Sequence, residues 1–95
     1  MKIHPDAQVA RLEDLPNVGK SIASDLRSLG IRTAEEFARF TPLEVYDRLN
    51  PVMGKRHDPC VLHTFLSVEH FLKSGERVPW WKFTAEGRRL LRENP

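Results

Sequence analysis

The stretch Leu12–Leu26, LEDLPNVGKSIASDL, predicts a helix, a tight turn and a second helix. Pro16 ends the first helix, because proline disfavours helical geometry in the residue before it. Asn17 and Gly19 both tolerate left-handed backbone angles, which tight turns use. Val18 lies between them and is apolar, so we expect it to fill the gap between the two helices.

The start of the second helix has the features of an anion-binding site. The amide N–H groups of a first helical turn have no intrahelical acceptor, and the helix dipole adds partial positive charge there. Gly19 has no Cβ that would keep a phosphate away from the backbone, Lys20 adds a full charge and Ser21 adds a hydroxyl donor. The predicted phosphate-binding residues are Asn17, Val18, Gly19, Lys20 and Ser21.

Capping signals place further helices along the chain. Thr33 and Glu36 have the spacing of a capping box, and Thr41 and Glu44 repeat it. Asp58 precedes a proline and is predicted to cap the next helix. The predicted helices cover about 6–14, 19–29, 34–40, 42–49 and 59–73, with a last short helix that begins near residue 84.

The predicted helix over 59–73 has an apolar face wider than a surface helix needs, so we expect it to be the central buried helix. Its polar stripe is expected to face solvent and consists of His63, Ser67, His70 and Ser74. Gly75 should end this helix. Pro79–Trp81 then predicts an extended segment.

These patterns predict an all-α fold, because no long alternation of apolar and polar residues and no Asn-Gly or Asp-Gly hairpin occurs. With 95 residues and 40% hydrophobic residues, the chain fits one compact domain of five or six helices, residues 1–95. Its parts are a hairpin unit (about 7–29), a second helical half (about 34–73) and a tryptophan segment with a basic terminal helix (76–95).

The net charge is only +2, and the excess positive charge lies near the end of the chain. Residues 1–72 carry 9 basic and 10 acidic side chains, whereas residues 73–95 carry 6 basic and 3 acidic ones. This distribution gives weak support for a polyanionic partner. No membrane helix is predicted, and the start of the chain has no hydrophobic signal stretch. The single cysteine, Cys60, forms no internal disulfide, so a cytoplasmic location is expected.

Leu15–Ala23 resembles the helix-hairpin-helix motif, which binds the DNA backbone without reading sequence. Asn17 stands where the usual Gly-hydrophobic-Gly hairpin has its first glycine. Further segments (29–33, 46–49, 56–62 and Trp80–Trp81) are similar to small bacterial proteins called pathogenicity-locus or mitomycin-resistance-protein-like. This resemblance covers about residues 12–83. It implies a helical domain of the SAM-like, DNA polymerase beta N-terminal-like architecture, and a link to DNA repair or mitomycin resistance.

Other chemistries fit the sequence less well. A nucleotide-binding P-loop needs a glycine five residues before Gly19, where Asp14 stands, and it needs a preceding strand. His57 and Cys60 suggest either a metal set with two later histidines or a cysteine nucleophile with its base. Neither arrangement offers four convergent ligands or an orienting third residue. We therefore expect no metal, no cofactor and no enzymatic activity.

The sequence thus favours a small non-enzymatic DNA-binding protein, a monomer or a homodimer, that contacts phosphates through its hairpin. Lys55 and Arg56 lie in Pro51–Arg56, a second Gly-Lys segment that resembles Leu15–Lys20, and they are predicted as auxiliary phosphate contacts. The alternatives are a hairpin that contacts protein or only packs, and a protein-interaction adaptor anchored by Trp80 and Trp81. Successive residues of an extended segment point to opposite sides, so one tryptophan is expected inside and one outside.

Overall fold

A computed structural model describes residues 3–53 and 59–94, and for residues 50–53 the backbone alone. Within these residues the chain forms five α-helices and three short 3₁₀ helices, with no strand, which confirms the all-α prediction. The α-helices are α1 (Lys20–Ser28), α2 (Ala34–Phe37), α3 (Pro42–Met53), α4 (Pro59–Ser74) and α5 (Thr84–Glu93). The 3₁₀ helices are Pro5–Ala7, Leu12–Asp14 and Trp80–Phe83.

Helix α4 is the centre of the fold, as its wide apolar face predicts. Nine of its side chains are buried, and α3, α5 and two of the 3₁₀ helices pack against it. Its Phe65 ring lies 5.6 Å from the ring of Phe37 in α2. Burial of this central helix stabilises the fold, since each fully buried large apolar side chain contributes about 1.5–3 kcal/mol.

The prediction of a helix over 6–14 is wrong. Two single 3₁₀ turns stand in its place, Pro5–Ala7 and Leu12–Asp14, with extended backbone at Gln8 and Arg11. The Asp14 carboxylate accepts a hydrogen bond from the Arg11 amide at 3.0 Å, which starts a new turn at that point. Pro16 lies too close for this turn to grow into an α-helix.

The predicted capping box at Thr41 is present, whereas Thr33 caps its helix but the Glu36 carboxylate accepts from the Arg32 amide and not from the Thr33 amide. The hydroxyl of Thr33 accepts from the Glu36 amide at 3.1 Å, and Thr41 and Glu44 exchange both bonds of a capping box. The hydrogen bonds from Thr41 lower the pKa of the Glu44 carboxyl. Helix α3 continues past the predicted end at residue 49. The predicted cap Asp58 lies outside the described residues.

The end of the chain folds back over α4. Gly75 ends α4 with a left-handed φ of 76°, as predicted, and the chain then crosses the helix. The predicted extended segment is wrong, because Trp80–Phe83 is a 3₁₀ helix whose Lys82 amide donates to the Pro79 carbonyl. In the described part of the chain no helix has both the length and the apolar character needed to cross a bilayer.

Candidate functional site

The turn before α1 reverses the chain with one left-handed residue. Asn17 has a φ of 63°, as predicted, and the Val18 amide closes the turn on the Leu15 carbonyl at 3.2 Å. Val18 is only 5% exposed and belongs to the core, which confirms its predicted packing role. Gly19 does not adopt a left-handed angle. It is extended at φ −95°, because as N-cap its carbonyl accepts from the Ala23 amide.

The first turn of α1 presents its amides to solvent. Gly19 has no side chain to cap them. Helices α2 and α3, by contrast, are each preceded by a threonine whose hydroxyl caps the first turn. A Cβ added at Gly19 would meet no atom within 4 Å, so the space above these amides is open. Lys20 and Ser21 are both exposed beside it, and Lys20 forms no ion pair with a described residue. This end of α1 therefore offers donors and a charge that the described chain does not use.

The side chain of Asn17 is used inside the protein. Its amide nitrogen donates to the Ser67 hydroxyl at 3.0 Å, and that hydroxyl donates to the carbonyl of Val78. Ser67 is fully buried on α4. The predicted role of Asn17 in phosphate binding is thus limited to its backbone, and its side chain holds the turn against α4.

A second contact joins the two arms of the turn. Arg27, in the last turn of α1, forms a two-pronged ion pair with Glu13, with distances of 2.7 and 3.1 Å. These hydrogen bonds from the Arg27 guanidinium lower the pKa of the Glu13 carboxyl. The pair holds the 3₁₀ turn Leu12–Asp14 against the far end of α1.

The two tryptophans differ in burial, as predicted, although they lie on a 3₁₀ helix and not on the extended backbone from which the prediction was made. Trp80 is partly buried and lies nearly parallel to the His63 ring, with centroids 6.2 Å apart and an angle of 14°. Trp81 is 59% exposed and meets the edge of Trp80. His63 itself is 4% exposed, so the prediction that it faces solvent is wrong. Ser67 of the same stripe is also buried, whereas Ser74 is exposed as predicted. Sequence reasoning missed the two buried residues because the tryptophan segment and α5 cover this part of α4.

Each tryptophan lines a different cavity. Trp81 borders a cleft of about 300 Å³ together with Pro16, Asn17 and Arg77, so it lies beside the predicted phosphate-binding turn. Trp80 borders a groove of about 670 Å³ between α4 and α5. Arg77 is fixed in the wall of the first cleft, since it donates to the Asp14 carbonyl and lies over the Phe71 ring.

The structure describes only some of the other residues that the sequence predicts as functional. Lys55 and Arg56 lie outside the described residues, as does His57. Cys60 is partly exposed at the start of α4. Among residues 3–53 and 59–94, no three His, Cys, Asp or Glu side chains are grouped so that they could hold a metal ion.

Comparison with known proteins shows the family. The pathogenicity locus family matches residues 5–89. The chain is 36% identical over 80 residues to a protein of Streptomyces lavendulae named mitomycin resistance protein McrB, and the match covers 84% of this chain and 76% of that protein. The search of solved structures gave no significant match. The chain therefore belongs to the pathogenicity locus family.

Proposed function

We propose that the protein is a small non-enzymatic DNA-binding protein that contacts the phosphate backbone through the N-terminal end of α1. The observation that carries this proposal is the uncapped first turn of α1, with open space at Gly19 and with Lys20 and Ser21 exposed beside it. Backbone amides at a helix N-terminus bind phosphate without reading bases. In this proposal Leu12–Ser28 is a shortened helix-hairpin-helix, and the protein acts on DNA in the cytoplasm.

The backbone at Gly19 supports this interpretation. Its φ of −95° is open to any residue, and no neighbouring atom would meet a Cβ. Neither strain nor internal packing therefore requires glycine at this position. The absence of a side chain does leave the amides of the first turn open to a ligand. The relative named for mitomycin resistance fits the proposal, since DNA-binding proteins are one class of protein that can confer such resistance.

The cleft between the turn and Trp81 extends the proposed surface. An exposed indole next to a phosphate-binding turn can stack on an unpaired base, and such stacking contributes about 1–3 kcal/mol per base. We therefore expect branched or single-stranded DNA to bind more tightly than a plain duplex. With one short turn, the affinity should be near the non-specific range of about 10⁻⁴–10⁻⁶ M.

The test is fluorescence anisotropy with labelled duplex, single-stranded and branched DNA at two salt concentrations. Each phosphate contact contributes about −0.9 to the slope of log K against log salt for duplex DNA. Lys20→Gln should weaken binding and reduce this slope by about one contact. The control variant Lys73→Gln removes the charge of a lysine on α4, and it should bind DNA as the unchanged protein does.

Gly19→Ser separates folding from binding. A serine N-cap bonds to the amides of the first turn and is worth a few tenths of a kcal/mol more than glycine. The thermal midpoint should therefore stay equal or rise while DNA affinity falls. Failure to bind any of the three DNA forms, or unchanged binding by both Lys20→Gln and Gly19→Ser, would rule the proposal out.

A second candidate function is a protein-interaction adaptor, and the exposure of Trp81 favours it. Large exposed aromatic residues are frequent anchors in protein interfaces. Trp81→Ala distinguishes the two candidates, because it should weaken binding to branched DNA if the indole stacks on a base. If Trp81 only anchors a protein partner, the variant should bind all three DNA forms unchanged.

A further inference from the structure

The groove between α4 and α5 is separate from the turn that is proposed to bind DNA. It has a volume of about 670 Å³, its lining is mostly apolar, and it shares no residue with the cleft beside Trp81. Cavities of about 300–1,000 Å³ with apolar walls and a few polar groups are typical of small-molecule sites. The groove therefore has the size and the lining that such a site needs.

Aromatic and apolar side chains form one side of the groove. Trp80 and His63 lie almost parallel within it, and Leu91 of α5 adds an aliphatic surface. Gly87 allows α5 to lie directly against His63, because an added Cβ would overlap with the imidazole ring. This close contact fixes the aromatic pair and gives the groove a flat, rigid wall.

Two arginines give the groove its charge. Arg88 and Arg92 are one helical turn apart on α5, and both line the groove. Neither forms an ion pair or a hydrogen bond with a described residue, whereas Arg89 between them pairs with Glu93 at 2.6 Å. No described acidic side chain lines the groove. Like charges at this spacing repel each other, so an anion between the two guanidinium groups would relieve the repulsion.

We propose that this groove binds a small planar aromatic anion, such as an aromatic carboxylate, sulfonate or phosphate ester. Its ring packs against Trp80 and Leu91, and its anionic group accepts hydrogen bonds from Arg88 and Arg92. Guanidinium groups suit this role, since they are always charged and bind oxyanions in a two-pronged geometry. The site does not depend on the DNA-binding proposal.

The experiment uses a matched pair of probes. Anilinonaphthalene sulfonate has the aromatic rings and an anionic group, and phenylnaphthylamine has the same rings without the charge. Fluorescence titration should show saturable binding of the sulfonate to one site, and tighter binding than that of the neutral probe. The indole N–H of Trp80 should shift in the NMR spectrum on binding, and that of Trp81 should shift less.

Charge-removing variants complete the test. The double change Arg88→Gln and Arg92→Gln should weaken binding of the sulfonate about tenfold or more, because the hydrogen bonds from both charged groups to the sulfonate are lost. It should leave the affinity for the neutral probe unchanged. Because both arginine side chains are exposed, the double variant should keep the fold. Arg89→Gln is the matched control and should bind both probes normally. Equal affinity for the two probes, sulfonate binding unchanged in the double variant, or a larger shift at Trp81 than at Trp80 would overturn the proposal.

Discussion

The side-chain amide of Asn17 donates a hydrogen bond to the Ser67 hydroxyl at 3.0 Å, across 50 positions of sequence. The same hydroxyl donates to the Val78 carbonyl, just before the tryptophan segment. One buried serine therefore connects the turn before α1, the central helix α4 and the tryptophan segment, which carries Trp80 and Trp81. This connection sets the distance between the turn and Trp81.

Replacing Asn17 should separate its two roles, which are the left-handed angle of the turn and the hydrogen bond to Ser67. Asn17→Gly keeps the left-handed angle and loses the hydrogen bond, so it should cost about 1 kcal/mol of unfolding free energy. Asn17→Ala also places a Cβ in the left-handed region and should cost about 2 kcal/mol in total. Urea unfolding followed by circular dichroism measures both values. An alanine variant as stable as the glycine variant would contradict the assignment of strain at φ 63°.

Gly87→Ala tests the close packing of α5 on α4. In an exposed helix this change would stabilise the protein by about 1 kcal/mol, because alanine is the better helix former. Here the added Cβ would overlap with the His63 ring, so we expect a net loss of about 1–3 kcal/mol from overpacking. The midpoint of urea unfolding and the fluorescence of Trp80 report the change. Glu86→Ala, on the exposed part of the same helix, is the control and should be nearly neutral; a stabilised Gly87→Ala would show that α5 moves away freely.

Local signals were sufficient for most of the fold. The threonine cap at Thr33, the capping box at Thr41, the helix end at Gly75 and the wide apolar face of α4 are properties of neighbouring residues, and the structure confirms each of them. The prediction of the first helix, over 6–14, is wrong for a reason that is also local. The bond from the Arg11 amide to the Asp14 carboxylate competes with helix growth, and a periodicity count does not include it.

The functional surfaces were less predictable, because they depend on contacts between distant segments. Nothing near Ser67 in sequence indicates that Asn17 and Val78 meet there. The groove between α4 and α5 was missed for the same reason, although Gly87 in an otherwise good helix-forming stretch was a usable signal. A glycine inside a helix often marks the place where another element approaches closely.

The two tryptophans should contribute unequally to stability. Trp80 stacks on the buried His63, so Trp80→Ala should lower the unfolding free energy by about 2–3 kcal/mol. Trp81 is mostly exposed and meets Trp80 only at an edge, which is worth about 0.5–1.5 kcal/mol. Acrylamide quenching of each single-tryptophan variant should show Trp81 as the more accessible ring. Equal losses of stability would contradict the difference in burial.

The ion pair between Glu13 and Arg27 should make the hairpin sensitive to acid. Because the pKa of Glu13 is lowered in the folded state, its contribution to stability is fully present at neutral pH. It is lost as the pH falls below the ordinary glutamate pKa and through the lowered folded value. A double-mutant cycle of Glu13→Gln and Arg27→Gln, measured by urea unfolding, should show favourable coupling at pH 7. The coupling should shrink toward zero at the lowest pH at which the chain stays folded, because Glu13 is then protonated. Coupling that is the same at both pH values would mean that the two side chains interact through packing rather than charge.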